Sequence, residues 1–324
     1  MSTDRDWRPG ADVAVLQKRA RMLQQLRTFF AQRDVLEVET PILQRQAVTD
    51  VHIDSLRIPL DGADGYLHTS PEYPMKRLLA AGSGPIYQVC KVFRAGEAGR
   101  RHNPEFTLLE WYRPGFDHHA LMHELEQLVR VLLADACSLD ETCKFSYRDL
   151  FHHYLQRDPF TCSVAELQQL ARQQHIDIVG NEVMDRDSWL DLLLTHAIEP
   201  QLPANRPVFI YDYPASQSAL ARLQQQDNIT VASRFELYLN GLELANGYHE
   251  LQDPVEQRQR FEQDQQQRQQ QGRFVPEIDE KFLAALEHGL PDCAGVALGL
   301  DRLLMIASGC DDIRDVLSFS IERA

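Results

Sequence analysis

The sequence predicts an α+β fold. Strand-like runs outnumber what a doubly wound sheet needs and do not alternate regularly with helical stretches, and the composition is that of a packed globular chain. Hydrophobic residues make up 44% of the 324 positions and charged residues 25%, the balance of a folded enzyme rather than of a disordered or fibrous chain. That length exceeds what one core holds comfortably, leaving one large domain or two smaller ones. There is no internal repeat and no Pro/Gly/Ser linker long enough to mark a boundary, so a single domain over residues 1–324 is the expectation.

Residues 12–33 space Val15, Leu16, Met22, Leu23, Leu26, Phe29 and Phe30 at helical intervals among Arg, Lys and Gln, which predicts an amphipathic helix. A short extended segment over residues 35–40 follows and stops at Pro41. Strand-like runs come at 86–93, 105–112, 208–213, 235–239 and 295–298, separated by helical stretches at 120–136, 164–175 and 187–199. Residues 256–271 are Gln-rich but lack Gly and Pro. Gln and Arg are good helix formers, so a solvated helix is expected there rather than a linker.

Lys plus Arg number 33 against 48 Asp plus Glu, a net charge of -15. Such a surface repels a phosphate backbone unless it segregates a basic face, so stable tRNA binding is disfavoured. A basic protein partner suits that field better, although negative charge most often serves solubility. The six cysteines form no C-x-x-C pair and no zinc-finger spacing, the start of the chain has no apolar leader core, and no run approaches a membrane span. Reduced thiols, the cytoplasm and no membrane association are the expectation. A phosphate-binding G-x-x-x-x-G-K-[ST] loop and a G-x-S-x-G elbow are both absent, and the Gly82 to Pro85 cluster reads as a turn. His119 and His123 stand four apart but lack the H-E-x-x-H order, so a solvated helix face is expected.

Three separated blocks carry chemistry. The first, from Arg33 to Pro41, is a helix end, a strand and a proline stop. The second sets Phe93-Arg94 and Arg100-Arg101-His102-Asn103-Pro104-Glu105 before Phe106-Thr107-Leu108-Leu109-Glu110-Trp111-Tyr112. This is two strands flanking an Arg-rich loop, able to present guanidinium groups to a triphosphate. Alternation puts Phe106, Leu108, Glu110 and Tyr112 on one face, lining a cleft. The third, from Gly295 to Met305, runs a small-residue strand into an apolar helix. Burying its Arg302 would demand an anionic partner such as a phosphate or carboxylate.

In this order the blocks resemble motifs 1, 2 and 3 of the class II aminoacyl-tRNA synthetases. Thr69-Ser70-Pro71-Glu72, Arg101 to Thr107, Gly241 to Leu251 and Leu286 to Pro291 narrow the resemblance to the lysyl subgroup. The resemblance implies an antiparallel sheet flanked by helices that holds a bent ATP, with motif 1 at a homodimer interface. It gives Arg94 and Arg302 the catalytic positions: Arg94 on the α-phosphate and the lysine carboxylate, Arg302 with Arg101 on the γ-phosphate. Phe106 would stack on adenine, with Asn103, Leu244 and Gly299 also at ATP-contacting positions. Glu243 and Glu250 would lie near the Mg²⁺ ions that bridge the phosphates.

Lysine carries two ammonium groups, and a pocket that takes them from water needs carboxylates within hydrogen-bond reach. By resemblance Glu72 and Glu250 face the ε-ammonium and Glu110 the α-amine, while Ser70, Pro71, Tyr112 and Asn246 complete the pocket. One departure stands out. The family's Arg-Asn-Glu is Arg94-Ala95-Gly96 here, with Glu97 one place later. Ala95 and Gly96 therefore keep only positional ATP contacts, with Glu97 or a backbone carbonyl replacing the lost Glu.

Motif 1 begins near residue 33, too early for the anticodon-binding barrel of a full lysyl-tRNA synthetase to precede it. The Glu110 to Pro114, Pro214 to Gln217 and Pro291 to Cys293 segments are similar to short relatives of that synthetase. Those relatives activate lysine, preferably (R)-β-lysine, and pass it to a lysine side chain of translation elongation factor P. The implied chemistry is ATP-dependent adenylation followed by attack of an acceptor amine. A truncated synthetase that charges tRNA, and an inactive paralogue that binds lysine or ATP, are the alternatives. The α and β isomers carry the same charges, so the carboxylates do not separate them.

Overall fold

The computed structural model describes residues 7–60, 62–176 and 184–324; residues 1–6, part of the polar start of the chain, lie outside them. The chain clusters into two compact units, Met1–Cys137 with Glu250–Ala324, and Ser138–His249.

The first unit opens with α1 (Val13–Ala31), which buries Met22, Leu26, Phe29 and Phe30. The Asp12 carboxylate accepts the Val15 amide at 2.8 Å and satisfies an orphan N–H at the helix start. The extended segment after it shortens to β1 (Leu36–Glu37). Then come β2 (Leu43–Gln44), β3 (Leu56–Leu60) and β4 (Ala63–Leu67), a small sheet in the order β2-β4-β3. They precede α2 (Glu72–Ala80), β5 (Ile86–Phe93), β6 (Glu105–Pro114) and α3 (His118–Leu133). His119 and His123 are both exposed on α3, as the sequence predicts.

The second unit contains β7 (Cys143–Ser146), α4 (Tyr147–Leu155), α5 (Val164–Gln173) and α6 (Arg186–Leu193). It continues with β8 (Val208–Pro214), β9 (Leu223–Gln226), β10 (Ile229–Leu239) and β11 (Leu242–His249). The helix expected over residues 187–199 loses its α-character after Leu193, widening over Leu194–Ile198 and tightening over Glu199–Gln201. Pro200, which has no N–H to give, sits in the tightened turn. Phe151, Leu167, Trp189, Leu190, Leu193 and Ile210 are among the residues that close this unit's core. Its strands pair in the order β11-β10-β8-β7, with β9 on β10.

Back in the first unit are α7 (Pro254–Gln270), α8 (Glu280–Gly289), β12 (Cys293–Gly299) and α9 (Leu300–Ser308). The Gln-rich segment is the helix that propensity predicts, burying only Gln257, Phe261 and Arg268. Arg268 does more than solvate it: its guanidinium holds the Asp54 carboxylate at 2.6 Å and the Asp50 carbonyl at 2.5 Å. The strands of this unit run β1-β5-β6-β12. β6 pairs antiparallel with β5 on one side and β12 on the other, which bears out the expected antiparallel sheet. Parallel pairing enters where β1 joins β5 and, in the other unit, where β7 joins β8.

β6 is buried on both faces. On one, Trp111 donates to Glu124 of α3 at 3.0 Å and meets the Phe30 ring edge-on at 5.5 Å. Leu108, Glu110 and Tyr112 point the other way. Among the described residues no helix is long and apolar enough to cross a membrane.

Candidate active site

The N-terminus of α2 and the far face of β6 build one end of the site. Ser70 Oγ accepts the Glu72 amide at 3.0 Å, and Pro71 occupies the cap position. Glu72 thus stands in the first turn, where the helix dipole favours an anion. One turn later Lys76 reaches back, its Nζ 2.6 Å from Glu72 Oε1 and 2.5 Å from Glu250 Oε2. The Glu250 amide donates to the Cys293 carbonyl at 3.0 Å, tying that residue to the start of β12. Gly295 pairs with Tyr112 across β12 and β6. A Cβ at Gly295 would overlap both the Tyr112 ring and Glu250 Oε1, so glycine is required where they meet. The Tyr112 hydroxyl donates to Glu110 Oε1 at 2.7 Å. Glu72, Glu110, Glu250 and Tyr112, all predicted substrate contacts, therefore converge within one unit.

The electrostatics of this cluster are unusual. Glu110 is 2% exposed, and its Oε2 has no hydrogen-bond partner among the described residues. Burial, followed by the nearby Glu72 carboxylate, pushes its pKa up to about 8 against the pull of the Tyr112 hydroxyl. Burial alone would depress Lys76, but the Glu250 and Glu72 carboxylates outweigh it and hold the ammonium above its usual range. An unpartnered carboxyl oxygen beside two further acids suits a cationic ligand.

The other end is cationic. Arg94 follows β5, its amide donating to the Pro104 carbonyl at 2.9 Å and its guanidinium lying 5.1 Å from the Phe106 ring centroid. Its buried Nε has no hydrogen-bond partner among the described residues. Glu97, the expected replacement for the family's missing Glu, sits 3.7 Å from Arg94 Nη1. The departure has a backbone reason. The Ala95 amide donates to the Asp54 carbonyl at 2.8 Å, and Gly96 adopts φ +79°, which costs a side-chain-bearing residue about 1–2 kcal/mol.

Arg302, in the first turn of α9, donates to the Arg101 carbonyl at 3.3 Å and contacts His102 Nε2 at 2.7 Å, which brings the motif 3 arginine to the motif 2 loop. Arg302 is half-buried, and the fully buried charge in that turn is its neighbour Asp301. Asp301 pairs with Arg19 of α1 and accepts the Thr107 amide at 2.6 Å. Asn103 gives its amide to the Glu105 carbonyl at 2.6 Å and accepts the Ile321 amide at 3.2 Å, so both ends serve the fold. Gly299 is the N-cap of α9.

Glu243, Leu244 and Asn246 belong to β11 in the second unit, with Glu243 opposite Tyr238 and Asn246 opposite Glu236. Leu244 is buried, while Glu243 and Asn246 are half-buried. The Asn246 Oδ1 is a buried acceptor with no hydrogen-bond partner among the described residues.

Sequence reasoning missed Lys76, His68 and the Arg19–Asp301 pair. Lys76 was findable, since Glu72 and Lys76 have the i,i+4 spacing of a helical ion pair. His68 is buried with Nε2 2.7 Å from the Lys91 carbonyl and lines a narrow cavity with Ser70 and Glu72. Burial depresses its pKa and favours the neutral ring. No local pattern marks Arg19 and Asp301, which stand far apart in the chain.

The chain is 49% identical over 330 residues to "Elongation factor P--(R)-beta-lysine ligase" of Edwardsiella ictaluri, covering 100% of both chains. It is 49% identical over 324 residues to the protein of that name from Haemophilus influenzae, covering 98% of each. Against the Pectobacterium carotovorum protein of the same name the figure is 48% over 332 residues, again covering 100% of both. The family profile described as tRNA synthetases class II (D, K and N) matches residues 6–323. With a lysine-type carboxylate cluster, an Arg94–Phe106 pair and a match along nearly its whole length, the chain belongs to the class II tRNA synthetase family.

Proposed function

We propose that this chain activates lysine, with (R)-β-lysine the preferred isomer, as an adenylate, and transfers it to a lysine side chain of translation elongation factor P. The observation that carries the substrate class is the convergence of Glu72, Glu110 and Glu250, three carboxylates that suit a diammonium ligand. The acceptor is supported by relatives that carry the ligase name and align over 98–100% of both chains.

In the first step a substrate carboxylate oxygen attacks the α-phosphorus of ATP and the bond to pyrophosphate breaks. Arg94 stabilises the charge that develops there, and Phe106 supports the adenine. Arg101 and Arg302, brought together at the motif 2 loop, hold the γ-phosphate. In the second step the acceptor amine attacks the adenylate carbonyl carbon, the carbon–oxygen bond to AMP breaks, and an amide remains. Mg²⁺, when bound, neutralises phosphate charge. Glu243 and Glu250 would each offer a hard carboxylate oxygen of the kind such an ion takes.

We further read the chain as one cytoplasmic catalytic domain that works as a homodimer. None of the six cysteines is in a disulfide, which suits a reducing compartment. Leu36 of motif 1 is 56% exposed beside the Arg27–Glu37 pair, an apolar residue that a dimer contact would cover.

Amino-acid-dependent ATP–pyrophosphate exchange tests the adenylation step. Exchange is expected with lysine and its β isomer and not with norleucine. Binding of lysine and ATP without exchange would favour the inactive paralogue, and efficient charging of bulk tRNA would favour a truncated synthetase.

A further inference from the structure

The pocket contains a lysine of its own. Lys76 is 1% exposed, and its ammonium is held between Glu72 and Glu250, carboxylates 178 positions apart in the chain, with the Phe282 ring centroid 5.8 Å away. Burying an ammonium is costly, and a helix with a solvated face could have kept this side chain in water. The fold instead spends two carboxylates on it, both predicted to face the substrate's distal ammonium.

Counting charges shows what this does. Glu72, Glu110 and Glu250, when ionised, carry three negative charges, and Lys76 returns one positive charge, leaving two. A diamino acid brings two ammonium groups. Three acids without a resident cation would repel one another in a buried space and would present one negative charge more than a diamino acid can balance. We propose that Lys76 is the positioning residue that sets the charge of this pocket, drawing Glu72 and Glu250 to one point and matching the site to a doubly cationic substrate. This deepens the lysine-adenylation reading and rests on it.

The test compares wild type with K76M, E250Q and the double variant K76M/E250Q. Pyrophosphate exchange is measured with lysine and with 6-hydroxynorleucine, which has a neutral tail of similar shape. With substrate bound and the remaining acids ionised, the four proteins hold two, three, one and two net negative charges. The ratio of kcat/KM for lysine over 6-hydroxynorleucine is expected to fall about 30-fold or more in E250Q, which loses a charge, and in K76M, which loses the cation that draws the two acids together, with the KM for ATP of K76M within about twofold of wild type. The double variant is expected to recover that ratio by about tenfold over E250Q, because it restores the balance.

A purely structural Lys76 would leave the ratio unchanged in K76M, or would make the double variant worse than E250Q; either result overturns the proposal. Should K76M fail to fold, the comparison of E250Q with the double variant still decides it, since that variant removes both members of the buried pair. Absence of lysine-dependent exchange in the wild type would instead refute the adenylation reading itself.

Discussion

Substrate binding should expel a proton, and Glu110 should be its source. The pKa of this carboxyl is raised to about 8, so most empty pockets hold it neutral at pH 7. An arriving α-ammonium needs the carboxylate, and ionising Glu110 at pH 7 costs about 1.4 kcal/mol, a factor of about ten in affinity. Affinity for lysine should therefore rise from pH 7 to about 8, before the substrate's own α-ammonium deprotonates, and fall about tenfold per unit below 7. Calorimetric titration of lysine in two buffers of different ionisation enthalpy gives the proton count. Release of up to about one proton per lysine at pH 7 is expected, shrinking as the pH rises through about 8. Glu110→Gln keeps an acceptor for the Tyr112 hydroxyl but has nothing to ionise, so it should bind more weakly and release no proton. The same variant checks the sign of the stability linkage. The folded state retains the Glu110 proton from about pH 4.5 to about 8 while the unfolded chain has lost it. That contribution thus declines by about 1.4 kcal/mol per pH unit across this window in wild type and not in the variant. Equal proton release from wild type and Glu110→Gln would refute the assignment.

Asp301→Asn should destabilise the fold by about 3–5 kcal/mol in denaturant titration, because it leaves the buried end of Arg19 without its carboxylate. Gly295→Ala drives a methyl group into the Tyr112 ring and Glu250 Oε1. It should raise the KM for lysine at least about tenfold in the exchange assay, with an overpacking cost of about 1–3 kcal/mol. Glu72→Ala should impair lysine use more than ATP use and Arg302→Ala the reverse, both read as KM values in the same assay; equal effects on both substrates would contradict these roles.

The sequence made the elements with a strong period legible and left the short ones hidden. Strand β5 falls on residues 86–93 as predicted because its run is apolar and bounded by Pro85 and the Arg-rich loop. The Gln-rich helix was legible from propensity alone, since nothing in it breaks a helix. Strands β2, β3 and β4 were missed because two to five residues interrupted by Pro59 and Gly65 carry no usable alternation. The two-unit clustering was also invisible, as the chain crosses at residues 137–138 and 249–250 without a compositional break. At the site, charge reasoning and family resemblance together found Glu72, Glu110 and Glu250. Resemblance alone supplied Arg94 and Phe106, whose mutual contact the structure shows. Lys76 escaped because a lysine beside a glutamate on a helix is ordinarily a solvated pair, and only tertiary packing reveals that this one is buried.

The most direct test of the account is the intact mass of purified elongation factor P after incubation with this protein, ATP and (R)-β-lysine. Addition of one lysyl residue, dependent on ATP and mapped to a lysine side chain, is the predicted result. An unchanged mass under conditions where the same preparation supports lysine-dependent pyrophosphate exchange would contradict the proposed acceptor.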